Sequence, residues 1–287
     1  MEDGLLNNLI SMELKKIYPQ RNGWSHKGQF GYVLIIAGSD FYTGSPIFNA
    51  LAALRSGADL VTIVTPKRAA NIASSFLPDI ISYPLNKDLS QEHIPIILQL
   101  SQKFNALIIG GGLNRNEETF RVIREIIQKI NLPVVIDAEA IRALAKNHQI
   151  LKNKISVITP HKEEFKILTG ESVQDNIADR KNKVKKWAKK LNTVILLKGH
   201  ADVISDGERV AVNKTGSPYM TKGGFGDTLA GICGALLARQ IDPFQAAVTA
   251  AYINGKAGAL AAQKYGEGVL ASDIFEFIPQ VIKNHTK

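Results

Sequence analysis

The stretch GYVLIIAGSDFYTGSPIFNALAALRSGADLVTIVTP, residues 31–66, decides the fold class of this chain. It contains two short apolar runs, at 32–37 and 60–65. Between them, Ser45 followed by Pro46 is typical of a helix start, with Pro46 as the first helical residue, and Gly57 is typical of a helix end. Apolar runs without polar alternation are expected when helices cover both faces of a parallel sheet. The stretch therefore predicts a strand, a helix and a second strand.

The same alternation of strands and helices continues through most of the chain. Further strands are predicted at 106–109, 134–137, 156–159 and 193–197, and further helices at 116–130, 139–147, 161–169 and 177–191. After residue 197, a hairpin is predicted around Asp206 and Gly207, and two helices rich in small residues follow at about 226–239 and 243–263. We predict a single α/β domain over residues 1–287, with a doubly wound, mainly parallel sheet and helices on both faces.

Composition narrows the class of protein. The chain has 287 residues, of which 45% are hydrophobic, so it can form a sizeable core. It has no apolar run of the roughly 18 to 20 residues needed for a membrane span. Residues 1–8 include Glu2 and Asp3 and lack the pattern of a signal peptide. The single cysteine, Cys233, excludes an intramolecular disulfide and is expected to be buried. These features predict a cytoplasmic protein without a membrane partner.

The net charge of +9 suits a ligand that carries phosphate. The densest basic run is KNKVKKWAKK at 181–190. Within and just after it, Val184, Trp187, Ala188 and Leu191 recur at helical spacing, which places the lysines on the opposite, solvated face. A nucleic-acid surface would instead interleave basic residues with exposed aromatic residues. We therefore predict no nucleic-acid partner.

Ligands of doubly wound sheets bind beyond the carboxyl ends of the strands, and two glycine-containing loops lie there. In the loop GSDFYTGSP, residues 38–46, backbone amides at the helix start and nearby hydroxyls can bind a phosphate or a ribose, although such loops often only turn the chain. In the second, three glycines at 110–112 follow a buried strand and let a ligand approach the backbone. Simple flexibility is the alternative explanation for these glycines.

A third loop contains His161, in TPHKEEF at 159–165. Its position just beyond a strand end fits a functional role as well as a structural one, and the sequence leaves both open. Glu163 and Glu164 suit the positive end of the following helix. No other histidine, cysteine or carboxylate lies at metal-ligand spacing beside His161, so we predict no zinc site there and assign no metal-ligating residue.

The fourth loop, GSPYMTKGGFGDTLAG at 216–231, carries the strongest functional signal. A glycine-rich turn that leads into a helix directs several backbone amides at one point and forms an anion hole. Asp227 at this point can accept a proton from a hydroxyl that attacks phosphorus, or it can merely cap the helix. The GxxxxGK[ST] motif of P-loops, the GxGxxG motif after the first strand and the GxSxG motif of serine hydrolases are all absent.

The run Gly224-Phe225-Gly226-Asp227 resembles the glycine–any–glycine–aspartate signature of ribokinase-like kinases. Within that superfamily, the chain most resembles the ADP/ATP-dependent NAD(P)H-hydrate dehydratases, over about residues 26–262. The segments that carry this resemblance, in chain order, include HKGQFGYVLIIAGS, IIGGGLN, VVIDAEAI, VITPHKEEFKILTG, VILLKGHADVISDG and TGSPYMTKGGFGDTLAG.

The resemblance implies a ribokinase-like fold and a repair reaction. ATP or ADP, with Mg²⁺, would phosphorylate the C6 hydroxyl of hydrated NADH or NADPH, and phosphate would then be eliminated. Asp227 would be the catalytic base. The resemblance places substrate binding at Gly44, Ser45, Gly112, His161 and Asp227. It places nucleotide binding at Lys198, Gly199, His200, Ala201, Asp202, Gly224 and Gly226, and it implies a homo-oligomer.

The chain departs from the family pattern at a few positions. Phe225 stands where the family usually has threonine, Ser217 begins a segment that is usually asparagine–proline–glycine, and Glu139 replaces an aspartate. The first 25 residues are too few for the epimerase domain that is often fused in this family, so none is expected. Two alternatives stay open: a kinase for a vitamin precursor or sugar, and a nucleotide-binding protein without catalysis.

Overall fold

The computed structural model describes residues 13–145 and 147–286. Within these residues, nine strands form one sheet in the order β3-β2-β1-β4-β5-β6-β7-β8-β9. The strands are β1 (Tyr32–Ile36), β2 (Leu60–Pro66), β3 (Ile81–Leu85), β4 (Ala106–Ile109), β5 (Val134–Ile136), β6 (Ser156–Ile158), β7 (Val194–Leu197), β8 (Asp202–Ser205) and β9 (Val210–Asn213). Strands β1 to β7 pair in parallel, and β8 and β9 continue the sheet in antiparallel pairing.

Helices alternate with the strands and then follow them. They include α1 (Gly44–Arg55), α2 (Lys67–Phe76), α3 (Ile94–Ser101), α4 (Glu117–Lys129), α5 (Ala138–Leu144), α6 (Lys162–Thr169), α7 (Ile177–Leu191), α8 (Phe225–Ala238), α9 (Pro243–Tyr265) and α10 (Phe277–Thr286). One hydrophobic core lies between the sheet and a layer that includes α1, α8, α9 and α10. A second lies under α3 to α7 on the opposite face. The predicted doubly wound sheet with helices on both faces is confirmed.

The predicted element boundaries need several corrections. Helix α1 begins at Gly44 with Thr43 as its N-cap, so Ser45 lies inside the helix and does not start it. Helix α5 ends at Leu144, because Ala145 leaves the helical conformation, and the predicted end at 147 is therefore too late. Strand β3 and helices α2, α3 and α10 were absent from the prediction. The hairpin around Asp206 and Gly207 is confirmed, because β8 and β9 flank it.

Other sequence predictions can be compared directly with the structure. Cys233 is fully buried in the first core, as expected. Val184, Trp187, Ala188 and Leu191 form the buried face of α7. No helix within 13–145 and 147–286 is long and apolar enough to cross a membrane. The prediction about a signal peptide concerned residues 1–8, which lie outside the described residues.

The order of the strands determines where a ligand can bind. Strand β1 pairs with β2 on one side and with β4 on the other, so the chain reverses its direction of winding between β1 and β4. Crevices in open α/β sheets form at this reversal, beyond the carboxyl ends of the strands. The loops at 38–46 and 110–112 both follow strands at this point. The fold therefore brings two of the four predicted loops together.

Candidate active site

Asp227 lies in the first turn of α8, which begins after the glycine-rich loop. The N-cap is Gly224, whose φ of 103° is favourable for glycine, and no side-chain hydrogen bond caps the helix. The Asp227 carboxylate instead accepts hydrogen bonds from Asn49 Nδ2, at 3.2 Å, and from the Ser45 hydroxyl. Both partners belong to α1. Asp227 is therefore directed at α1 and faces the reversal point of the sheet, and stabilisation of the first turn of α8 stays the alternative role for this carboxylate.

Glycine backbone leaves the space in front of Asp227 open. A Cβ on Gly111 would collide with Asp227 Oδ1. A Cβ on Gly112 would lie 3.1 Å from the Cβ atoms of Ser45 and Tyr42. The structure thus brings together Ser45, Gly112 and Asp227 of the predicted substrate residues, and Gly44 lies in the same turn, at the start of α1.

The environment of Asp227 favours a carboxylate that takes up protons near neutral pH. Burial raises its pKa and the nearby charge of Asp137 raises it further, to about 7, although Ser45, Lys198 and Asn49 act in the opposite direction. A general base is most effective when its pKa lies near the working pH. The geometry and the raised pKa together suit Asp227 to accept a proton from a bound hydroxyl.

Lys198 lies at the centre of a charged cluster beyond strands β5, β6 and β7. Its ammonium is 2.9 Å from Asp137 Oδ1 and 3.8 Å from Glu164 Oε2. Burial lowers the pKa of Lys198, but Asp137 and Glu164 more than offset this, so the pKa is raised and the cation is maintained. A Cβ on Gly226 would lie only 3.3 Å from Lys198 Nζ. A cation therefore lies beside the glycine-rich loop, where a phosphate would be stabilised.

His161 has a structural role in the fold. It is the N-cap of α6, and its Nδ1 accepts hydrogen bonds from the backbone amides of Glu163 and Glu164. Because Nδ1 is an acceptor, the ring proton belongs on Nε2, which lies 3.4 Å from Glu164 Oε1. Glu164 in turn reaches Lys198. His161 is thus connected to the cluster around Lys198 through Glu164, and its imidazole remains about half exposed.

A cavity of about 580 Å³ lies between the β7–β8 loop, the segment 214–221, the start of α8 and the middle of α9. Five predicted nucleotide residues line it: Lys198, Gly199, His200, Asp202 and Gly226. The other two do not. Ala201 is buried, and Gly224 packs against Phe48 and Ala271.

The loop between β7 and β8 is held by hydrogen bonds from its surroundings. Arg180 Nη2 donates to the carbonyl oxygens of Leu197 and Lys198, at 3.1 and 3.0 Å. Asp202 accepts from the Gly199 amide and from Asn213 Nδ2, both at 3.0 Å. These contacts fix the backbone that borders the cavity. They also occupy the Asp202 carboxylate, so this side chain shapes the loop.

The residues that depart from the family pattern have distinct positions. Phe225 is the first residue of α8, is buried and borders the cavity. Ser217 and Pro218 line the cavity as well, whereas Tyr219 is exposed. The Glu139 side chain is only 13% exposed and accepts two hydrogen bonds from Arg115, whose side chain is exposed. Phe225 therefore affects the shape of the cavity directly.

Sequence reasoning missed four functional candidates: Asn49, Asp137, Thr159 and Lys214. Asn49 contacts Asp227, and Lys214 borders the cavity. Asp137 and Thr159 each directly follow a buried strand, at the edge where ligands bind. His161 was selected because it lies just beyond the end of a strand. The same criterion applies to Asp137 and Thr159 and would have selected them.

Comparison with known proteins identifies the family of this chain. The family model described as NAD(P)H-hydrate dehydratase matches residues 33–280. The chain belongs to this family. A bifunctional NAD(P)H-hydrate repair enzyme Nnr of Pyrobaculum aerophilum is 44% identical over 92% of this chain and 53% of its own length. An ADP-dependent (S)-NAD(P)H-hydrate dehydratase of Cenarchaeum symbiosum is 38% identical over 94% of this chain and 95% of its own length.

Solved structures of other proteins share this fold. An ADP/ATP-dependent NAD(P)H-hydrate dehydratase of Bacillus subtilis, co-crystallised with ATP and Mg²⁺, superposes with a TM-score of 0.81 at 28% identity, covering 96% of this chain and 97% of its own. A ribokinase-like superfamily protein of Enterococcus faecalis gives 0.82 at 25% identity, covering 96% and 94% of the two chains. The fold is ribokinase-like. The chain spans about half the length of the bifunctional relatives that it matches, such as that of Pyrobaculum aerophilum.

Proposed function

We propose that this protein uses ADP or ATP to dehydrate hydrated NADH and NADPH. The observation that carries the proposal is the placement of Asp227, which lies between the glycine backbone of Gly111 and the Lys198 cation at the start of α8. The same superfamily contains small-molecule kinases, but the family to which the chain belongs is described as a dehydratase. The names of its relatives also favour dehydration over the kinase alternative.

The proposed chemistry begins with phosphoryl transfer. Asp227 accepts the proton of the C6 hydroxyl as that oxygen attacks the terminal phosphorus of the nucleotide. Lys198 and the backbone amides at 224–227 stabilise the negative charge of the transferring group. The oxygen–phosphorus bond forms as the bond from phosphorus to the nucleotide breaks, which converts a poor leaving group into a phosphate ester.

Elimination completes the proposed reaction. The ring nitrogen donates its electrons, the C6–O bond breaks, phosphate leaves and a proton is lost from the neighbouring ring carbon. We propose that the substrate is bound by Gly44, Ser45, Gly112 and His161. We propose that the nucleotide is bound by the residues from Lys198 to Asp202, together with Gly224 and Gly226. The nucleotide is proposed to occupy the cavity of about 580 Å³.

Mg²⁺ is proposed to bind together with the nucleotide. Within residues 13–145 and 147–286, no group of three or more histidine, cysteine, aspartate or glutamate residues is arranged to hold a metal ion. Phosphate oxygens and water are the donors that Mg²⁺ prefers when the protein supplies few ligands, and this suits an ion that arrives on the phosphates. The ion would neutralise phosphate charge, while Lys198 acts from the protein side.

The test follows the near-ultraviolet absorbance of dihydronicotinamide when purified protein meets hydrated NADH, Mg²⁺ and either ATP or ADP. We expect recovery that requires nucleotide and that falls by roughly 10² to 10⁴-fold in Asp227→Asn, because the proton acceptor is lost. Nucleotide binding by Asp227→Asn, measured calorimetrically, is the control for folding. No recovery from folded protein that binds nucleotide would contradict the proposal, and a stable phosphorylated product would favour the kinase alternative.

A further inference from the structure

Asp137 is a buried carboxylate that the proposed chemistry does not use. It directly follows β5, and its side chain is 5% exposed. Thr159, which follows the adjacent β6, donates a hydrogen bond of 2.7 Å from its hydroxyl to Asp137 Oδ1. Lys198, which follows the next strand, β7, contacts the same oxygen at 2.9 Å. Three neighbouring strands thus each contribute one side chain to a single hydrogen-bonded chain.

The other carboxylate oxygen of Asp137 points towards the glycine-rich loop. A Cβ on Gly226 would lie 4.0 Å from Asp137 Oδ2 and 3.3 Å from Lys198 Nζ. Asp137 is therefore close to the phosphate position, although a carboxylate is a poor ligand for an anion. A buried negative charge at such a place is costly unless it is paired, and Lys198 supplies the pairing.

We propose that Asp137 is a positioning residue, which holds the Lys198 ammonium beside Gly226 and places its own negative charge next to Asp227. This inference rests on the proposed function of Asp227 as the base. Without Asp137, the long and flexible lysine side chain would retain only its more distant contact with Glu164, at 3.8 Å. Asp137 thus acts through two other side chains, one that meets phosphate and one that accepts a proton.

The charges around Asp227 determine the sign of the expected effect. Asp137 raises the Asp227 pKa, Lys198 lowers it, and Ser45 and Asn49 of α1 lower it through hydrogen bonds. Further from Asp227, Glu164 faces Lys198, and His161 faces Glu164. Replacing Asp137 by asparagine removes a negative charge and leaves the lysine free to approach Asp227. Both changes favour the ionised base, so the Asp227 pKa falls.

The experiment compares the wild-type protein with Asp137→Asn, which is nearly isosteric and can still accept the Thr159 hydrogen bond. We expect the acidic limb of the pH profile of kcat to move to lower pH by about one pH unit. We also expect affinity for Mg²⁺-ADP, measured calorimetrically, to fall about tenfold, because Lys198 is no longer held. The matched control is Asp79→Asn, since Asp79 is an exposed carboxylate just before β3, at the edge of the sheet.

Two further measurements separate positioning from general damage. Thr159→Val leaves the Asp137 charge in place, so we expect weaker nucleotide binding with little movement of the acidic limb. Titration of the Asp227 carboxyl by ¹³C NMR, assigned with Asp227→Asn, gives the midpoint without any turnover. A lower midpoint in Asp137→Asn supports the inference even if the protein proves not to dehydrate its proposed substrate. An unchanged midpoint together with unchanged ADP affinity would overturn it, whatever the activity.

Discussion

The space in front of Asp227 depends on a single residue, Gly111, which follows β4. Any Cβ at this position would collide with Asp227 Oδ1 and would lie 3.4 Å from Asn49 Nδ2 and from Ser45 Cβ. The three groups that a substituent would meet are the proposed base and its two hydrogen-bonding partners. A side chain as small as a methyl group is therefore sufficient to disturb the site.

We expect Gly111→Ala to lower kcat by about 100-fold, because a displacement of the base by about 1 Å costs this much. Steady-state kinetics with hydrated NADH and ATP measures the effect. Gly268→Ala is the matched control, since a Cβ at Gly268 meets nothing within 4 Å. Equal kcat values for the two variants would show that Gly111 does not maintain the position of Asp227.

At the scale of elements, the site depends on how closely α8 packs against α1. Gly231 of α8 faces the backbone of α1, where a Cβ would collide with Asn49 O. Gly234, one turn further along, faces the sheet, where a Cβ would lie 2.5 Å from the side-chain carbons Cγ1 and Cδ1 of Ile108. The first contact is with rigid backbone and the second is with a side chain that can rotate.

The two glycines of α8 therefore predict different outcomes. Gly231→Ala should separate α1 from α8, move Ser45 and Asn49 away from Asp227 and lower both stability and kcat. Gly234→Ala should lower the free energy of unfolding by about 1–3 kcal/mol through overpacking, with kcat nearly unchanged. Urea denaturation and steady-state kinetics on both variants check this. A loss of kcat that is equal in the two variants would contradict the separate roles.

Elements were predictable from sequence where an apolar run or a helical period was uninterrupted. Strands β1, β2 and β4 are continuous buried runs, and α7 carries a clear buried stripe. Strand β3 was missed because it lies at the edge of the sheet, is largely unburied and contains Pro84, which weakens any strand pattern. Helix α3 was missed because its run IPIILQLS shows no clear amphipathic period.

The site was predictable only in part, because some of its residues carry local sequence signals and others are brought together only by the fold. The glycine-rich loop and the loop at 110–112 carry local signals, so Asp227 and Gly112 were predicted from them, whereas Lys198 was predicted only through the family resemblance. The Asp137–Thr159–Lys198 chain arises from the adjacency of β5, β6 and β7, and the cavity wall at 214–221 comes from a segment distant from β7 in sequence. Such contacts depend on the order of strands in the sheet, which local patterns do not specify.

At the scale of the whole molecule, the site imposes a cost on folding. The pKa of Asp227 is raised from 3.8 to about 7 in the folded protein, chiefly by burial. Between pH 3.8 and about pH 7, the Asp227 carboxyl is protonated in the folded state but ionised in the unfolded state. The free energy of unfolding therefore decreases as pH rises through this range. Above about pH 7 the carboxylate is ionised in both states, and the full penalty of burying its charge is present.

Asparagine in place of Asp227 cannot ionise and avoids this penalty. We expect Asp227→Asn to be more stable than the wild-type protein at pH 8, by up to about 4 kcal/mol, because each unit of pKa change corresponds to about 1.4 kcal/mol. The difference should shrink as pH falls from 7 towards 4, where the wild-type carboxyl takes up its proton in the folded state. Thermal or urea unfolding of both proteins without ligand, at pH 5 and pH 8, measures this difference in stability. A stability difference that does not change with pH would mean that Asp227 is not held at a raised pKa in the folded protein, and it would remove the electrostatic basis for its use as a base near neutral pH.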